Sequence, residues 1–164
     1  MLGLALVVGL GAGAAAAGWE RDAVKDQLRD TTLLRATNAD GVTFVVSCRT
    51  LVGVTDWLIG VAGPLPPGVP RQRLSDEAAI VIDGAVQRWP DAFGLKLGRT
   101  DLRLGRQLLV GPYDPPWIKG IMDVLSGGRT LTFRLKLSGH AWSWPLAGFA
   151  ESYAKGGFGP CTGG

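Results

Sequence analysis

Two stretches of this 164-residue chain alternate apolar and polar side chains, and this alternation limits the possible folds more than any other feature. The apolar set of the first stretch is Val42, Phe44, Val46 and Cys48. The apolar set of the second stretch is Leu131, Phe133, Leu135 and Leu137. Because successive side chains of a strand point to opposite faces of a sheet, each stretch predicts a half-buried antiparallel strand. Cys48 is expected to face the core.

Turn signals separate these stretches from further predicted strands. Residues 30–49 predict a β-hairpin, because the run Asn38-Ala39-Asp40-Gly41 has turn chemistry. Residues 52–61 predict the next strand, and short strands are expected at 78–82, 95–97 and 102–104. Asp83-Gly84 is a turn signal that closes the strand at 78–82. Residues 63–70 contain four prolines and predict a surface loop.

Two helices are expected in the carboxyl-terminal half. The first begins after Asp114, a candidate cap, and ends at Gly127-Gly128, with Lys119 and Asp123 on its polar side. Its predicted apolar face consists of Trp117, Ile118, Ile121, Met122, Val124 and Leu125. The second is short, and its predicted stripe consists of Leu146, Phe149, Ala150 and Tyr153. The fold class expected is mainly β, a single-domain antiparallel β-sandwich with two short helices.

The first seventeen residues carry no charged side chain and end in Ala15-Ala16-Ala17, a signal-peptidase pattern. We therefore predict a signal peptide at residues 1–17, one domain at residues 18–164, and a periplasmic or secreted protein. A basic residue before the apolar run is missing, so an uncleaved amino-terminal anchor remains the alternative. No second run of about eighteen apolar residues follows, so no stable membrane span is expected once the signal is removed.

The chain has two cysteines, Cys48 and Cys161, and an exported protein with two cysteines is expected to form one disulfide. That bond would close a loop of 114 residues, counting both cysteines. Chain entropy alone gives such a loop just under about 5 kcal/mol of stabilisation. Two distant cysteines and one histidine, His140, match no metal-ligand spacing, so neither a metal nor another cofactor is expected.

The charge and the remaining motifs exclude several functions. Seventeen basic and fourteen acidic side chains give a net charge of +3, without the basic stripe of a nucleic-acid-binding protein. Ser138 and Ser143 are near His140 in sequence, but this does not make a catalytic triad. No glycine loop that could bind phosphate follows a predicted strand. We expect no catalytic residues.

Six tryptophans are present, and Trp142 and Trp144 are separated by one residue. In an extended segment their indoles share a face, so with His140 they are a candidate ligand surface for a sugar ring or a peptide. In the alternative interpretation, which the sequence favours, the two indoles cover the end of the core.

Several short segments follow one another in a characteristic order from about Trp19 to Cys161, which is nearly all of the predicted mature chain. These are Trp19-Glu20 with Asp22, Asp26 and Asp30; residues 44–48, ending in Cys48; residues 80–84 with Trp89; residues 124–128 before the strand at 131–137; and residues 146–150 before Cys161. This order resembles the invasion-associated locus B family of periplasmic proteins and the related accessory protein of type VI secretion.

The resemblance implies an exported, disulfide-closed β-sandwich with no assigned catalytic residues. The function expected is that of a non-catalytic binding or accessory protein of the bacterial envelope, with an envelope or secretion-apparatus protein as partner. The alternative is an envelope carbohydrate- or peptidoglycan-binding module, or a hydrolase, that uses the aromatic surface on a cell-wall glycan.

Overall fold

A computed structural model describes residues 18–25, 29–51, 54–64, 78–87, 95–97, 101–110, 115–136 and 138–159. The strands are β1 (Glu20–Lys25), β2 (Arg29–Thr37), β3 (Thr43–Leu51), β4 (Val54–Pro64), β5 (Ala78–Ile82), β6 (Ala85–Val86), β7 (Leu95–Leu97), β8 (Asp101–Val110), β9 (Thr130–Leu135) and β10 (Ala141–Pro145). The helices are α1 (Pro115–Gly127) and α2 (Phe149–Ala154). The predicted signal peptide, the candidate cap Asp114, Leu137 and the proline-rich residues 65–70 lie outside the described residues.

The strands form two antiparallel sheets. One has six strands in the order β1-β2-β3-β4-β8-β7, and the other has four in the order β10-β9-β5-β6. The described buried side chains of both sheets and both helices form one hydrophobic cluster. Phe44 of the first sheet meets Trp144 of the second, with ring centroids 5.6 Å apart. The expected mainly-β sandwich with two short helices is therefore confirmed.

The predicted hairpin is confirmed as β2 and β3. Its turn is stabilised by Asn38, whose Oδ1 accepts hydrogen bonds from the backbone N–H groups of Asp40 and Val42. Gly41 has a φ of +73°, which favours glycine at this position. In the ladder, Cys48 lies opposite Thr32 on one side and Trp57 on the other. Cys48 faces the core as predicted, with 2% of its surface exposed.

The second alternating stretch is confirmed as β9, in which Leu131, Phe133 and Leu135 are buried and Arg134 is exposed. The strand ends earlier than predicted, because Lys136 already lies in a turn.

The strands at 78–82 and 95–97 are also confirmed, and the stretch at 102–104 is part of the longer β8. Asp83 and Gly84 both have positive φ, at +49° and +85°, as in the tight turns of two-residue hairpins. This turn joins β5 to the short strand β6, which we did not predict.

The proline-rich loop was predicted to begin at Gly63, but strand β4 continues to Pro64. Gly63 and Pro64 belong to the end of β4, where Pro64 lies opposite Asp101 of β8. A Cβ atom at Gly63 would lie 2.9 Å from the Cα atom of Val42, so the close backbone approach requires glycine there.

Both predicted helices are present, but the predicted positions of some of their side chains are wrong. In α1, Ile118, Ile121, Met122 and Leu125 are buried, whereas Val124 is 38% exposed. Val124 lies about 110° around the helix from the centre of the buried face, outside the arc that the four buried side chains occupy. In α2, Ala150 is exposed and Ser152 is buried instead, and Leu146 precedes the helix.

Lys119 and Asp123 face solvent on α1 as predicted. Their side chains form an ion pair of 2.7 Å between Lys119 Nζ and Asp123 Oδ2. The hydrogen bond to Asp123 and its negative charge raise the pKa of Lys119 above the usual value.

Candidate functional site on strand β10

Strand β10 carries all the residues of the candidate ligand surface except His140, which immediately precedes it. Trp144 is fully buried, and its Nε1 donates a hydrogen bond of 3.0 Å to the backbone carbonyl of Val42, which immediately precedes β3 of the opposite sheet. The same carbonyl accepts a second bond from the Asn38 N–H. Trp144 therefore joins the two sheets.

Trp142 points to the same side of β10 and is 6% exposed. Its ring lies nearly parallel to that of Phe133, with centroids 6.2 Å apart, and nearly parallel to His140 at the same separation. An exposed stacking platform of Trp142 and Trp144 is therefore not present, because the core encloses both indoles. Their burial agrees with the alternative interpretation, in which the pair covers the end of the core.

His140 is half-buried, and its Nδ1 is the only buried side-chain polar atom without a hydrogen-bond partner in the described part of the chain. Its backbone carbonyl accepts from Leu135 N–H at 2.8 Å. The Ser138 hydroxyl accepts a long bond, 3.5 Å, from the His140 backbone N–H. Ser143 Oγ lies instead 2.8 Å from Thr132 Oγ1. Neither serine forms a hydrogen bond with the imidazole.

The hydrogen-bond pattern of β10 shows which of its backbone groups face away from β9. Leu135 N–H donates to His140 C=O, and Leu146 N–H donates to Arg129 C=O. In an antiparallel ladder hydrogen-bonded pairs alternate with non-hydrogen-bonded pairs, so Trp142 and Trp144 bond to β9 as well. The backbone groups of Ala141, Ser143 and Pro145 point the other way, to the free edge of the four-stranded sheet.

Trp19 occupies one end of this edge. Its Nε1 donates a bond of 2.9 Å to the Pro145 carbonyl, and its own carbonyl accepts a bond of 3.4 Å from Ser152 Oγ. Its ring meets Phe149 edge-on, with centroids 4.8 Å apart. Sequence reasoning missed this contact, because Trp19 follows the uncharged residues 1–17 and has no periodic pattern around it.

Positive charge lies beside the edge strand, on the outer face of the four-stranded sheet. Arg134 of β9 is exposed and lies opposite Ala141 in the ladder. Lys136 is exposed just beyond the end of β9. Arg129, at the other end, lies 3.8 Å from Asp83, and the Asp83 carboxylate accepts hydrogen bonds from the backbone N–H groups of Arg129 and Thr130.

The predicted disulfide has one cysteine within the described residues. Cys48 is buried there, and no free cysteine thiol is found in the described ranges. Cys161 lies outside them, so its pairing with Cys48 stays a prediction. The buried Phe158 packs against Trp57, with ring centroids 6.3 Å apart, and Trp57 is the ladder neighbour of Cys48.

Within the described ranges, no group of three or more His, Cys, Asp or Glu side chains is placed to hold a metal ion. The helices in that part of the chain are too short or too polar to span a membrane. Comparison with protein-family models, with curated proteins and with solved structures found no match.

Proposed function

We propose that this protein is an exported, non-catalytic binding or accessory protein of the bacterial envelope, closed by one disulfide between Cys48 and Cys161. It acts in the periplasm or after secretion, through its surface, on an envelope or secretion-apparatus protein. The resemblance of its segment order to the invasion-associated locus B family supports this proposal, as does the apolar leader at residues 1–17.

The contact between Phe158 and Trp57 carries the argument for export. It brings the carboxyl-terminal segment next to Cys48, because Trp57 is opposite Cys48 in the β3–β4 ladder. Cys161 follows Phe158 by three residues, a span of at most about 10 Å. The Cα atoms of a disulfide are usually about 4.4–6.8 Å apart, so the proposed bond requires the chain to return to Cys48 within these three residues. A structural disulfide belongs in an oxidising compartment.

The surroundings of His140 support binding over catalysis. This is the chain's only histidine, and its ring rests against Trp142. A general base needs a hydrogen bond to its nucleophile and an orienting partner. Ser138 and Ser143, its sequence neighbours, use their hydroxyls in other contacts.

Export and the disulfide are tested on protein isolated from its native host. Mass spectrometry should give an amino terminus at Gly18 and a mass lower by two hydrogens than the reduced chain. Peptide mapping under non-reducing conditions should link Cys48 to Cys161. Free thiols on an unprocessed chain would refute the proposal.

The accessory role is tested by cross-linking in intact envelopes with an affinity-tagged wild-type chain. We expect the same envelope protein to be recovered in repeated experiments. Recovery should fall for the Cys48→Ser variant, because the fold is less stable without the proposed disulfide. Turnover of an envelope polymer by the purified protein, with no partner recovered, would contradict the proposal.

A further inference from the structure

We propose that the free edge of β10 is a docking site for an extended peptide segment whose outward side chains are acidic. The partner would add a fifth strand to the four-stranded sheet, beside Ala141 and Ser143. This inference rests on the proposed binding function and specifies the surface and the chemistry of the partner.

The first observation is that backbone hydrogen-bonding groups are free at this edge. The N–H and C=O groups of Ala141 and Ser143 point away from β9, and both residues are exposed. Pro145, which has no N–H, has its carbonyl occupied by Trp19. Four groups are thus available in the described structure, in the spacing that an added strand would use.

The second observation is that this edge is protected only at its Pro145 end, where proline lacks an N–H and Trp19 occupies the carbonyl. Charged side chains and covered backbone groups normally prevent sheet edges from associating. The edge strand β1 of the other sheet follows this rule, because four of its six residues are charged. In addition, Asp22 Oδ1 accepts a hydrogen bond of 2.9 Å from the Ala23 N–H. Strand β10 contains no charged residue.

The third observation is the charge beside the edge. Arg134 lies opposite Ala141, and the small alanine leaves space for the arginine to reach across it. An added strand would lie about 10 Å from β9, two strand spacings away. Arginine and glutamate side chains together span that distance, so a glutamate on the outer face of the added strand can pair with Arg134.

The inner side of the added strand would continue the face that carries Trp142. The inward side chains of the added strand would contact the core beside Trp142. We therefore expect apolar residues to alternate with the acidic ones in the partner segment. A second copy of this chain is less suitable, because a three-residue edge buries far less than the roughly 800 Å² per partner of a stable complex.

The test measures fluorescence anisotropy with a labelled seven-residue peptide of alternating valine and glutamate at low salt. Two control peptides carry lysine in place of glutamate, or N-methyl groups on the amides that would face β10. We expect the valine–glutamate peptide to bind, each control to bind at least about tenfold more weakly, and salt to weaken binding.

Variants locate the site. Ser143→Pro removes one docking N–H and the hydroxyl contact with Thr132 but no backbone bond to β9, and it should weaken peptide binding at least about tenfold. Ser143→Ala keeps the backbone group and is the matched control, with affinity within about twofold. Arg134→Glu should weaken binding of the glutamate peptide and strengthen that of the lysine peptide.

Hydrogen exchange on the wild-type protein gives a measurement that does not depend on the folding of the proline variant. The amides of Ala141 and Ser143 should exchange fast without peptide and slowly with it, whereas those of Trp142 and Trp144 should be protected throughout. Unchanged exchange at Ala141 and Ser143, or equal binding by wild type and a folded Ser143→Pro variant, overturns the proposal.

Two further outcomes separate this inference from the proposed function. If the envelope partner is still cross-linked by a folded Ser143→Pro variant, the edge is not the docking site but the accessory role stands. If the wild-type chain dimerises in sedimentation experiments and Ser143→Pro abolishes the dimer, the edge binds a second copy and the acidic-peptide proposal is wrong.

Discussion

The hydrogen bond from Trp144 to the opposite sheet should contribute measurably to stability, and the substitution Trp144→Phe tests this. Phenylalanine keeps an aromatic ring beside Phe44 but removes the Nε1–H that donates to the Val42 carbonyl. That carbonyl keeps its bond from the Asn38 N–H, so it is not left without a partner. The hydrogen-bond loss should therefore be about 0.5–1.5 kcal/mol, below the penalty of an isolated buried carbonyl.

The smaller ring also leaves a space in a site with no solvent exposure. Indole exceeds phenyl by about 40 Å³, and at about 24 cal/mol per Å³ of cavity this adds about 1 kcal/mol. The total loss in unfolding free energy should be about 1.5–2.5 kcal/mol. For a chain of this length that corresponds to a fall in Tm of about 3–10 °C.

Trp142→Phe is the matched control, on the same strand and the same face. Trp142 donates no hydrogen bond within the described structure and is 6% exposed, so only the volume loss of about 1 kcal/mol should remain. Urea denaturation of the oxidised proteins, followed by far-UV circular dichroism, gives both values. The reasoning is refuted if Trp142→Phe is as destabilising as Trp144→Phe.

Three further predictions concern other contacts. Asp83→Ala should lower the unfolding free energy by about 1–2 kcal/mol, and Asp83→Asn should lower it less. Asparagine keeps one acceptor for the Arg129 and Thr130 amides, and it tolerates the positive φ of this position. Equal urea midpoints for the two variants would contradict this. Gly157→Ala should be more destabilising than Gly41→Ala by about 1–3 kcal/mol, because both have positive φ but only the Cβ at 157 would meet Thr32 Oγ1, at 2.7 Å; calorimetry showing the same Tm for both would exclude the steric cause. Cys161→Ala should remove up to about 5 kcal/mol of stability under oxidising conditions and nothing after reduction, and an equal loss in both conditions would show that no disulfide had formed.

The sequence predicted best those strands that have one buried and one exposed face. The hairpin through Phe44 and Cys48 and the strand through Phe133 were recognised because burial on one face imposes a period of two. Strand β1 was missed because all six of its residues are exposed, so burial leaves no pattern in its sequence. It forms a strand through its ladder with β2, a long-range property.

The candidate site shows a different limit. The alternation of Trp142 and Trp144 predicted correctly that they share a face, but periodicity does not say whether that face is covered. Burial depended on the opposite sheet, where the Val42 carbonyl and Phe44 meet Trp144. The free edge of β10 could not be predicted either, because it depends on the order of strands in the sheet.

The attachment of Trp19 to Pro145 and Ser152 has a consequence for biogenesis. These contacts join positions 126 and 133 residues apart, so the first core residue of the described chain finds its neighbours only when translation is nearly complete. The consecutive strands β1–β4 can pair earlier, because they are neighbours both in sequence and in the sheet. The end of the core around Trp19 is therefore the part of the described structure that closes last, after the final helix has been synthesised.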